Sequence, residues 1–305
     1  MAGPDGGWDY AKVDPASRKL YVARGTEVTV IDLANGDRTT TLGPVVRGHA
    51  VVPVPGGKLL LVTSGRDDSV RLFDIALGLE AAKIAVGANP DAAYIDAASG
   101  HAIVMNAKDG TVSVIDITKR SVVKTIRLKA GLEYALTGPA DTLFVNNEDA
   151  NEVETANLAT GKAGPAIALT GCSEPSGLGF DAKTGLIISA CANGKAAIVN
   201  ARTMKLIKLI DIGQGPDAVI VDEARRTAFI PCGRDGTLAV IALDGKNGPA
   251  VVETVKTGTG ARTGALDTSD GSLYLPTAEF SSPASTDGRP AVVPGSFHVL
   301  VVSHR

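Results

Sequence analysis

Short hydrophobic runs recur along the whole chain and are separated by polar turns rich in Gly, Asp and Asn. Seven of these runs align with one another: RKLYVARG, KLLLVTSG, HAIVMNAK, DTLFVNNE, LIISACAN, TAFIPCGR and SLYLPTAE. The equivalent positions ahead of them are 40 to 45 residues apart, at Asp14, Val54, Asp96, Thr137, Asp181, Asp222 and Asp267. A repeat of this length predicts one supersecondary unit per repeat.

A second series of hydrophobic runs keeps the same period and phase. Its members VTVID, VRLFD, VSVID, VETAN, AAIVN and LAVIA end at Asp32, Asp74, Asp116, Asn157, Asn200 and Ala242. A weaker fourth run follows in several repeats, and helical periodicity is almost absent. Four short antiparallel strands per repeat, at a period near 42 residues, predict an all-β, seven-bladed β-propeller.

The repeats predict a single propeller domain, residues 1–305. Its seven blades have approximate bounds of 8–46, 47–88, 89–130, 131–173, 174–214, 215–259 and 260–305. Only three strands are evident in the last blade, so either it is three-stranded or a closing N-terminal strand lies outside this chain. We favour the second expectation. The stretch EFSSPASTDGRPAVVPG replaces a short turn and is predicted to be either a lid or a loose insertion.

Composition narrows the classes of function. Hydrophobic residues make up 44% of the chain and charged residues 21%, which is typical of a globular protein. The formal net charge is −3 and no basic stripe is present, so nucleic acid is not an expected partner. No apolar stretch has the length of a membrane span, and the first residues lack the features of a signal peptide. A monomer is expected.

Several stretches carry a family resemblance. LYVARGTEVTVIDLANG, GANPDAAYID and DGTVSVIDITKRSVVKTIRL resemble the YncE-like, or YVTN-repeat, β-propeller proteins, and the resemblance covers essentially the whole chain. GGWDYAKVD, FVNNED and CSEPSGLGFDAKTGLIISACAN are similar to a bacterial branch whose members are usually exported. The resemblance implies a periplasmic location but no settled activity, and a cytoplasmic location stays open. The chain departs from this branch at Arg24, where His is common, and at Cys232.

The propeller fold predicts which polar residues meet. The loop that enters each inner strand and the loop that leaves each second strand lie on one face, around the central channel. This rim includes Asp9, Glu174 and Ser176. The predicted ligand-binding residues are Trp8, Tyr10, Arg24, Arg66, Asp91, Asn106, Asn147, Asp217 and Glu279. Arg262 and Glu279 end one hairpin and are expected to face each other across the channel mouth.

His49 is the strongest single candidate for chemistry on this rim. With Glu133 and Glu148 it could hold a divalent metal ion (Ca²⁺, Mn²⁺ or Zn²⁺), and no other cofactor is expected. These three residues and Arg262 are also the candidate catalytic residues, with Arg262 orienting an anionic substrate. The alternative is structural, because Asp and Glu often cap turns and a loop His is often simply hydrogen-bonded. No HExxH, GxSxG, P-loop or CxxC motif occurs.

The three cysteines allow at most one internal disulfide. Cys172 precedes the fifth blade and Cys191 ends the second strand of that blade, so a bridge between them is one prediction. Three unrelated small hydrophobic residues are the other.

Three functions stay open at this point. The first is an exported propeller that binds a small polar or cationic ligand, or a peptide, at the acidic rim. The second is a lactonase-like hydrolase or a lyase that uses the rim carboxylates, His49 and Arg262. The third is single-stranded nucleic-acid binding, which the resemblance suggests because a YncE-like relative has been associated with DNA.

Overall fold

The computed structural model describes residues 6–281 and 291–303. Within them the chain forms seven antiparallel sheets, six of four strands and a last one of three. Each sheet is a meander in chain order, and the first strands of successive sheets contact one another, including those of the first and the last. The sheets are therefore the blades of a closed seven-bladed β-propeller.

The first strand of each blade is the inner strand and lines the central channel. Blades one to three contain β1 (Trp8–Asp14), β2 (Lys19–Arg24), β3 (Val28–Asp32), β4 (Arg38–Leu42), β5 (Gly48–Pro53), β6 (Leu59–Ser64), β7 (Ser69–Asp74), β8 (Leu79–Ala85), β9 (Pro90–Ile95), β10 (Ala102–Asn106), β11 (Thr111–Asp116) and β12 (Ser121–Arg127). Two short 3-10 turns, Gly65–Asp67 and Pro139–Asp141, are the helical segments of the described residues.

Blades four to seven repeat this arrangement. They contain β13 (Leu132–Thr137), β14 (Thr142–Asn147), β15 (Glu152–Asn157), β16 (Ile167–Ala168), β17 (Pro175–Asp181), β18 (Leu186–Cys191), β19 (Lys195–Asn200), β20 (Lys205–Asp211), β21 (Ile220–Asp222), β22 (Thr227–Cys232), β23 (Thr237–Ala242), β24 (Ala250–Lys256), β25 (Ala265–Leu266), β26 (Leu273–Thr277) and β27 (His298–Val302). Among the described residues, no helix is long and apolar enough to cross a membrane.

The repeated Asp and Asn residues close turns on the face opposite the predicted rim. Asp14 Oδ1 accepts a hydrogen bond from the Ala16 amide, two residues along the chain. Asp32 accepts from the Ala34 amide in the same way. Asp74, Asp96, Asp116, Asn157, Asp181, Asn200, Asp222 and Asp267 make equivalent bonds. The Asp and Asn members of the two sequence series are therefore side chains that stabilise tight turns, whereas Val54, Thr137 and Ala242 are members without such a side chain.

The hydrophobic core is divided among the interfaces between blades. Six of the seven buried clusters each join two adjacent blades. The seventh joins blades three and four and also includes Tyr10 and Ala218 from across the channel, so every blade is covered on both faces. Between blades seven and one, the ring of Trp8 lies 5.6 Å from that of Phe297 and completes the ring of interfaces. The short Leu, Ile and Val side chains of the repeats suit these flat interfaces.

Blade seven ends the ring as a three-stranded sheet in the described part of the chain. A bridge between Phe280 and Val292 joins the two ends of the Pro- and Ser-rich stretch that precedes β27. Most of the predicted lid or insertion falls on residues 282–290, which lie outside the described residues.

A disulfide joins Cys172 and Cys191, with a Cα–Cα distance of 5.3 Å. It ties the loop that enters blade five to the end of the second strand of the same blade. Cys232 occupies the position equivalent to Cys191 in blade six and is a buried free thiol.

Candidate functional site

The loop between one blade and the next inner strand, here the interblade loop, has the same backbone geometry in blades two to seven. One residue in each loop has a positive φ: Arg47, Asn89, Gly131, Glu174, Gly215 and Gly260. In blades two to six its carbonyl accepts a hydrogen bond from an amide just after the second strand, as Arg47 accepts from Gly65 and Asn89 from Ala107. The second strand thus fixes where the next side chains point.

The site residue lies two residues after each of these positions, on the inner strand in blades two to five and ahead of it in blades six and seven. In blades one to five this residue falls in a register shift between the first two strands, as between Gly48 and Val51 in blade two. Such a bulge turns a side chain away from the regular alternation of the strand. In blade order, the seven equivalent residues are Asp9, His49, Asp91, Glu133, Ser176, Asp217 and Arg262.

These seven side chains surround one cavity of about 300 Å³ at the channel mouth, here the mouth cavity. Its remaining lining residues are Tyr10, Glu148, Glu174, Ala192, Gly215 and Pro216. Six carboxyl groups therefore meet one imidazole and one guanidinium. Of the sequence-predicted residues, the structure brings Tyr10, His49, Asp91, Glu133, Glu148, Asp217 and Arg262 together in this cavity.

His49 lies between two carboxylates. Its Nδ1 is 2.7 Å from Asp9 Oδ2 and 3.6 Å from Asp91 Oδ1. Burial alone would lower the pKa of the imidazole, but the hydrogen bond with Asp9 and the charges of Asp91 and Asp9 outweigh it, so the pKa is raised. Burial raises the pKa of Asp91 to about 7, with His49 opposing the rise and Asp9 adding to it.

Arg262 is paired with Asp217, not with Glu279 as expected from the sequence. The Arg262 Nε donates to Asp217 Oδ2 at 2.8 Å, while Glu279 is exposed and does not line the cavity. Burial and the Asp9 charge raise the pKa of Asp217 to about 6, against the lowering effect of Arg262. The hairpin places its two ends on the same face, but Glu279 follows the second strand and lies outside the inner ring.

The opposite wall of the mouth cavity is acidic without a cationic partner. Glu133, Glu148 and Glu174, from blades four and five, line it, and no ion pair within the described ranges involves them. Burial, and then the charges of Asp91 and Asp217, raise the pKa of Glu133 well above its usual range. Burial and the Asp149 charge also raise the pKa of Glu148.

Two tyrosines lie beneath the carboxylates. Tyr10 and Tyr134, from blades one and four, have ring centroids 5.2 Å apart. Tyr10 lines both the mouth cavity and a second cavity of about 260 Å³ further along the channel. The tyrosine therefore separates the two spaces and forms the floor of the mouth cavity.

Three predicted ligand-binding residues are buried and hydrogen-bonded outside the mouth cavity. Arg24 and Asn147 are buried and donate to backbone carbonyls, at Gly7 just before β1 and at Ala130 in the interblade loop before β13. Asn106 is buried and donates to Thr111 and Ser113. All three end a second strand, where the side chain points into the blade rather than into the channel.

Two further predicted ligand-binding residues also lie outside the mouth cavity. Trp8 packs against Phe280 and Phe297, and Arg66 is exposed in the turn after the second strand.

The acidic neighbours of His49 also differ from the predicted metal set. Glu133 and Glu148 both belong to blade four, whereas Asp9 and Asp91 belong to the blades on either side of His49. The ligand atoms of Asp9, His49 and Asp91 all lie within 4.8 Å of one another. Asp9 belongs to the rim predicted from the sequence but not to the predicted metal-binding or ligand-binding residues. Its repeat position, equivalent to His49 and Asp91, is the signal that would have identified it.

No protein-family model and no curated protein matches this chain. Among solved structures, it is similar to the hydrazine synthase of Kuenenia stuttgartiensis at 17% identity and a TM-score of 0.75, covering 96% of this chain and 97% of that one. A chain of the mitotic checkpoint complex is similar at 14% identity and a TM-score of 0.76, covering 97% of this chain and 89% of that one. At these identities the likeness shows the seven-bladed β-propeller fold alone.

Proposed function

We propose that this propeller binds a small cationic ligand in the mouth cavity. The observation that carries this proposal is the acidic wall formed by Glu133, Glu148 and Glu174, which faces the cavity and forms no ion pair in the part of the chain that the structure describes. Clustered carboxylates in a partly buried site repel one another and raise their own pKa values. A bound cation offsets that repulsion, so ligand binding and protein stability are linked.

The size and shape of the cavity support a small ligand rather than a polymer. A space of about 300 Å³ is at the lower end of the range for small-molecule sites. A nucleic-acid phosphate would meet six carboxyl groups there, which disfavours the third hypothesis from the sequence. We place this function in an exported, YncE-like protein, since the sequence resemblance implies export and a disulfide suits an oxidising compartment.

Thermal unfolding with organic cations tests this proposal. Putrescine, tetramethylammonium and a dipeptide amide are added to metal-free protein at pH 7.5, with sodium salts at equal ionic strength as the reference. At least one cation is expected to raise Tm in a saturable way. The Glu133→Gln/Glu148→Gln double variant should lose this shift, while Glu279→Gln, exposed on the same face, should keep it. Equal shifts in all three proteins, or none in any, would contradict the proposal.

A hydrolase or lyase is the second candidate, and the arrangement of His49 supports it. The Nδ1 atom bonds to Asp9, while Nε2 is buried and has no hydrogen-bond partner among the described residues. A carboxylate that orients one ring nitrogen leaves the other to accept a proton. Arg262 would orient an anionic substrate, with Glu133 and Glu148 as the other acid–base groups. Turnover of a lactone panel that disappears in His49→Gln, with Tm unchanged, would support catalysis.

A further inference from the structure

Three metal-binding side chains meet on the His49 side of the mouth cavity. His49 Nδ1 lies 2.7 Å from Asp9 Oδ2 and 3.6 Å from Asp91 Oδ1, and the three ligand atoms are all within 4.8 Å of one another. Two ligands about 2.1 Å from one ion and at right angles are about 3 Å apart. The observed distances are close to this value. Small side-chain rotations would therefore bring the three atoms to the spacing of neighbouring ligands of one ion.

A second observation points to a ligand at the same place. The Tyr10 side chain is only 6% exposed, and its hydroxyl has no hydrogen-bond partner among the described residues. Tyr10 lines the cavity, and Asp217, Glu133, Asp9 and Asp91 all act electrostatically on its hydroxyl. A buried hydroxyl without a partner is costly, and a water molecule held by an ion would satisfy it.

The backbone makes the three-ligand arrangement rigid. Asp9, His49 and Asp91 occupy equivalent bulge positions in three consecutive blades, so each side chain leaves the inner strand in the same direction. The residues that precede His49 and Asp91 by two positions have positive φ, and their carbonyls are bonded to the loop after the second strand. Fixed backbones of this kind place ligands precisely.

We propose that Asp9, His49 and Asp91 bind one divalent transition-metal ion, Zn²⁺ or Mn²⁺. This inference goes beyond the proposed function, because it places a metal ion on the His49 side of the mouth cavity, apart from the wall of Glu133, Glu148 and Glu174. Two carboxylate oxygens and one imidazole nitrogen suit these ions better than Ca²⁺, which takes oxygen ligands. The ion keeps open positions toward the cavity, and Tyr10 donates a hydrogen bond to a water bound there.

Calorimetric titration of the chelator-stripped full chain tests the site. Zn²⁺ and Mn²⁺ are each expected to bind at one equivalent per chain, with Ca²⁺ at least tenfold weaker. His49→Gln and Asp91→Asn should each weaken Zn²⁺ binding by at least tenfold, and Tyr10→Phe by roughly threefold to tenfold with unchanged stoichiometry. His101→Gln, a histidine on the opposite face, is the matched control and should bind as the unmodified chain does.

Cobalt provides an independent readout of the nitrogen ligand. The visible spectrum of the Co²⁺-loaded chain should change in His49→Gln and stay the same in His101→Gln. If His49→Gln does not fold, judged by its thermal transition, the loss of Zn²⁺ affinity in Asp91→Asn tests the site instead.

Metal binding and the response of Tm to organic cations test the metal site and the proposed function separately. Metal binding that survives in both His49→Gln and Asp91→Asn would place the ion elsewhere and overturn the site. No metal binding together with a putrescine-dependent rise in Tm would overturn the site and leave the cation-binding function standing. No response to metals or to organic cations would overturn both.

Discussion

At the scale of single residues, Glu133 is a carboxyl group in surroundings that disfavour its charged form. It is half-buried, lies among other carboxylates and has a raised pKa because of burial and the charges of Asp91 and Asp217. Natural surfaces place most charges where water solvates them. A carboxyl group held in this way is typical of functional sites, where pKa values are shifted by burial and by like charges.

Neutralising this residue should therefore stabilise the ligand-free protein. Glu133→Gln keeps the shape and removes the charge, so at pH 8 we expect Tm to rise by roughly 2–4 °C, the shift that about 1 kcal/mol produces in a large domain. Glu279→Gln, an exposed carboxylate on the same face, should change Tm by less than 1 °C, roughly the scale of ordinary surface substitutions. A lower Tm in Glu133→Gln would mean that the carboxylate makes stabilising contacts.

Seven of the site residues predicted from the sequence line the mouth cavity. Others, such as Arg24 and Asn147, instead hydrogen-bond to backbone carbonyls. Arg24 and Asn147 are polar, lie near the rim in sequence and are indistinguishable there from ligand-binding residues. What separates them is the register shift of the inner strand, which sends its second residue into the channel, whereas the last residue of the second strand points into the blade. A register shift has no clear signal in a single sequence.

At the scale of elements, the contact between neighbouring inner strands positions the acidic residues. Gly177 in β17 lies against the backbone of blade six, and a Cβ there would be 2.2 Å from the Asp217 carbonyl oxygen. The buried amide of Asn146 donates to the carbonyls of Ser176 and Gly177 and holds the strand from the other side. Glycine is therefore required at this position for steric reasons.

Gly177→Ala is expected to destabilise the protein by about 2 kcal/mol or more, because an added methyl group in a closely packed site forces the backbone to move. Urea unfolding measures this change. Gly25→Ala provides the control, since a Cβ at Gly25 meets no atom within 4 Å. Similar unfolding midpoints for the two variants would show that blades five and six can separate without cost.

The disulfide of blade five makes a second prediction at this scale. Cys191→Ala should lower the free energy of unfolding by about 3 kcal/mol, because the bridge closes a loop of 19 residues in the unfolded chain. Cys232→Ala removes a thiol at the equivalent position of blade six and should cost less. A reducing agent should destabilise Cys232→Ala and leave Cys191→Ala unchanged. Equal sensitivity of both variants to reductant would argue against the bridge in solution.

At the scale of the whole molecule, the fold was predictable because its sequence pattern is repeated in seven blades. Each repeat carries the same turn-closing Asp or Asn and the same hydrophobic runs, so an ambiguity in one blade is resolved by the others. Blade seven is the exception. Its hairpin was evident, but the long stretch before β27 (His298–Val302) has no equivalent in the other repeats.

The charges of the mouth cavity should also appear in the pH dependence of the whole protein. Burial is the main cause of the raised pKa values, to about 7 for Asp91 and about 6 for Asp217, and it raises that of Glu133 as well. A carboxyl group with a raised pKa contributes stability below its unfolded pKa near 4 and loses it as the pH rises through the folded value. The free energy of unfolding from these groups should therefore fall between about pH 4 and pH 7.

Other carboxylates oppose this trend only in stronger acid. Burial alone would raise the pKa of Asp67, but its hydrogen bonds outweigh burial and lower the pKa. The stability that Asp67 contributes is therefore lost as the pH falls below about 4. Tm of the ligand-free chain is expected to be highest near pH 4–5 and to decline toward pH 8. The decline should be smaller in Asp217→Asn. A Tm that rises steadily from pH 5 to pH 8 would contradict the raised pKa values.

The ring of seven equivalent residues around the mouth cavity bears on how such a protein can evolve. Asp9, His49, Asp91, Glu133, Ser176, Asp217 and Arg262 occupy one position per blade, and the hydrophobic interfaces lie elsewhere. A substitution at one of these positions should therefore change the charge or the hydrogen-bonding groups of the mouth cavity in one blade without disturbing the core. The same seven positions are a small set of sites to randomise in directed evolution of new ligand preferences.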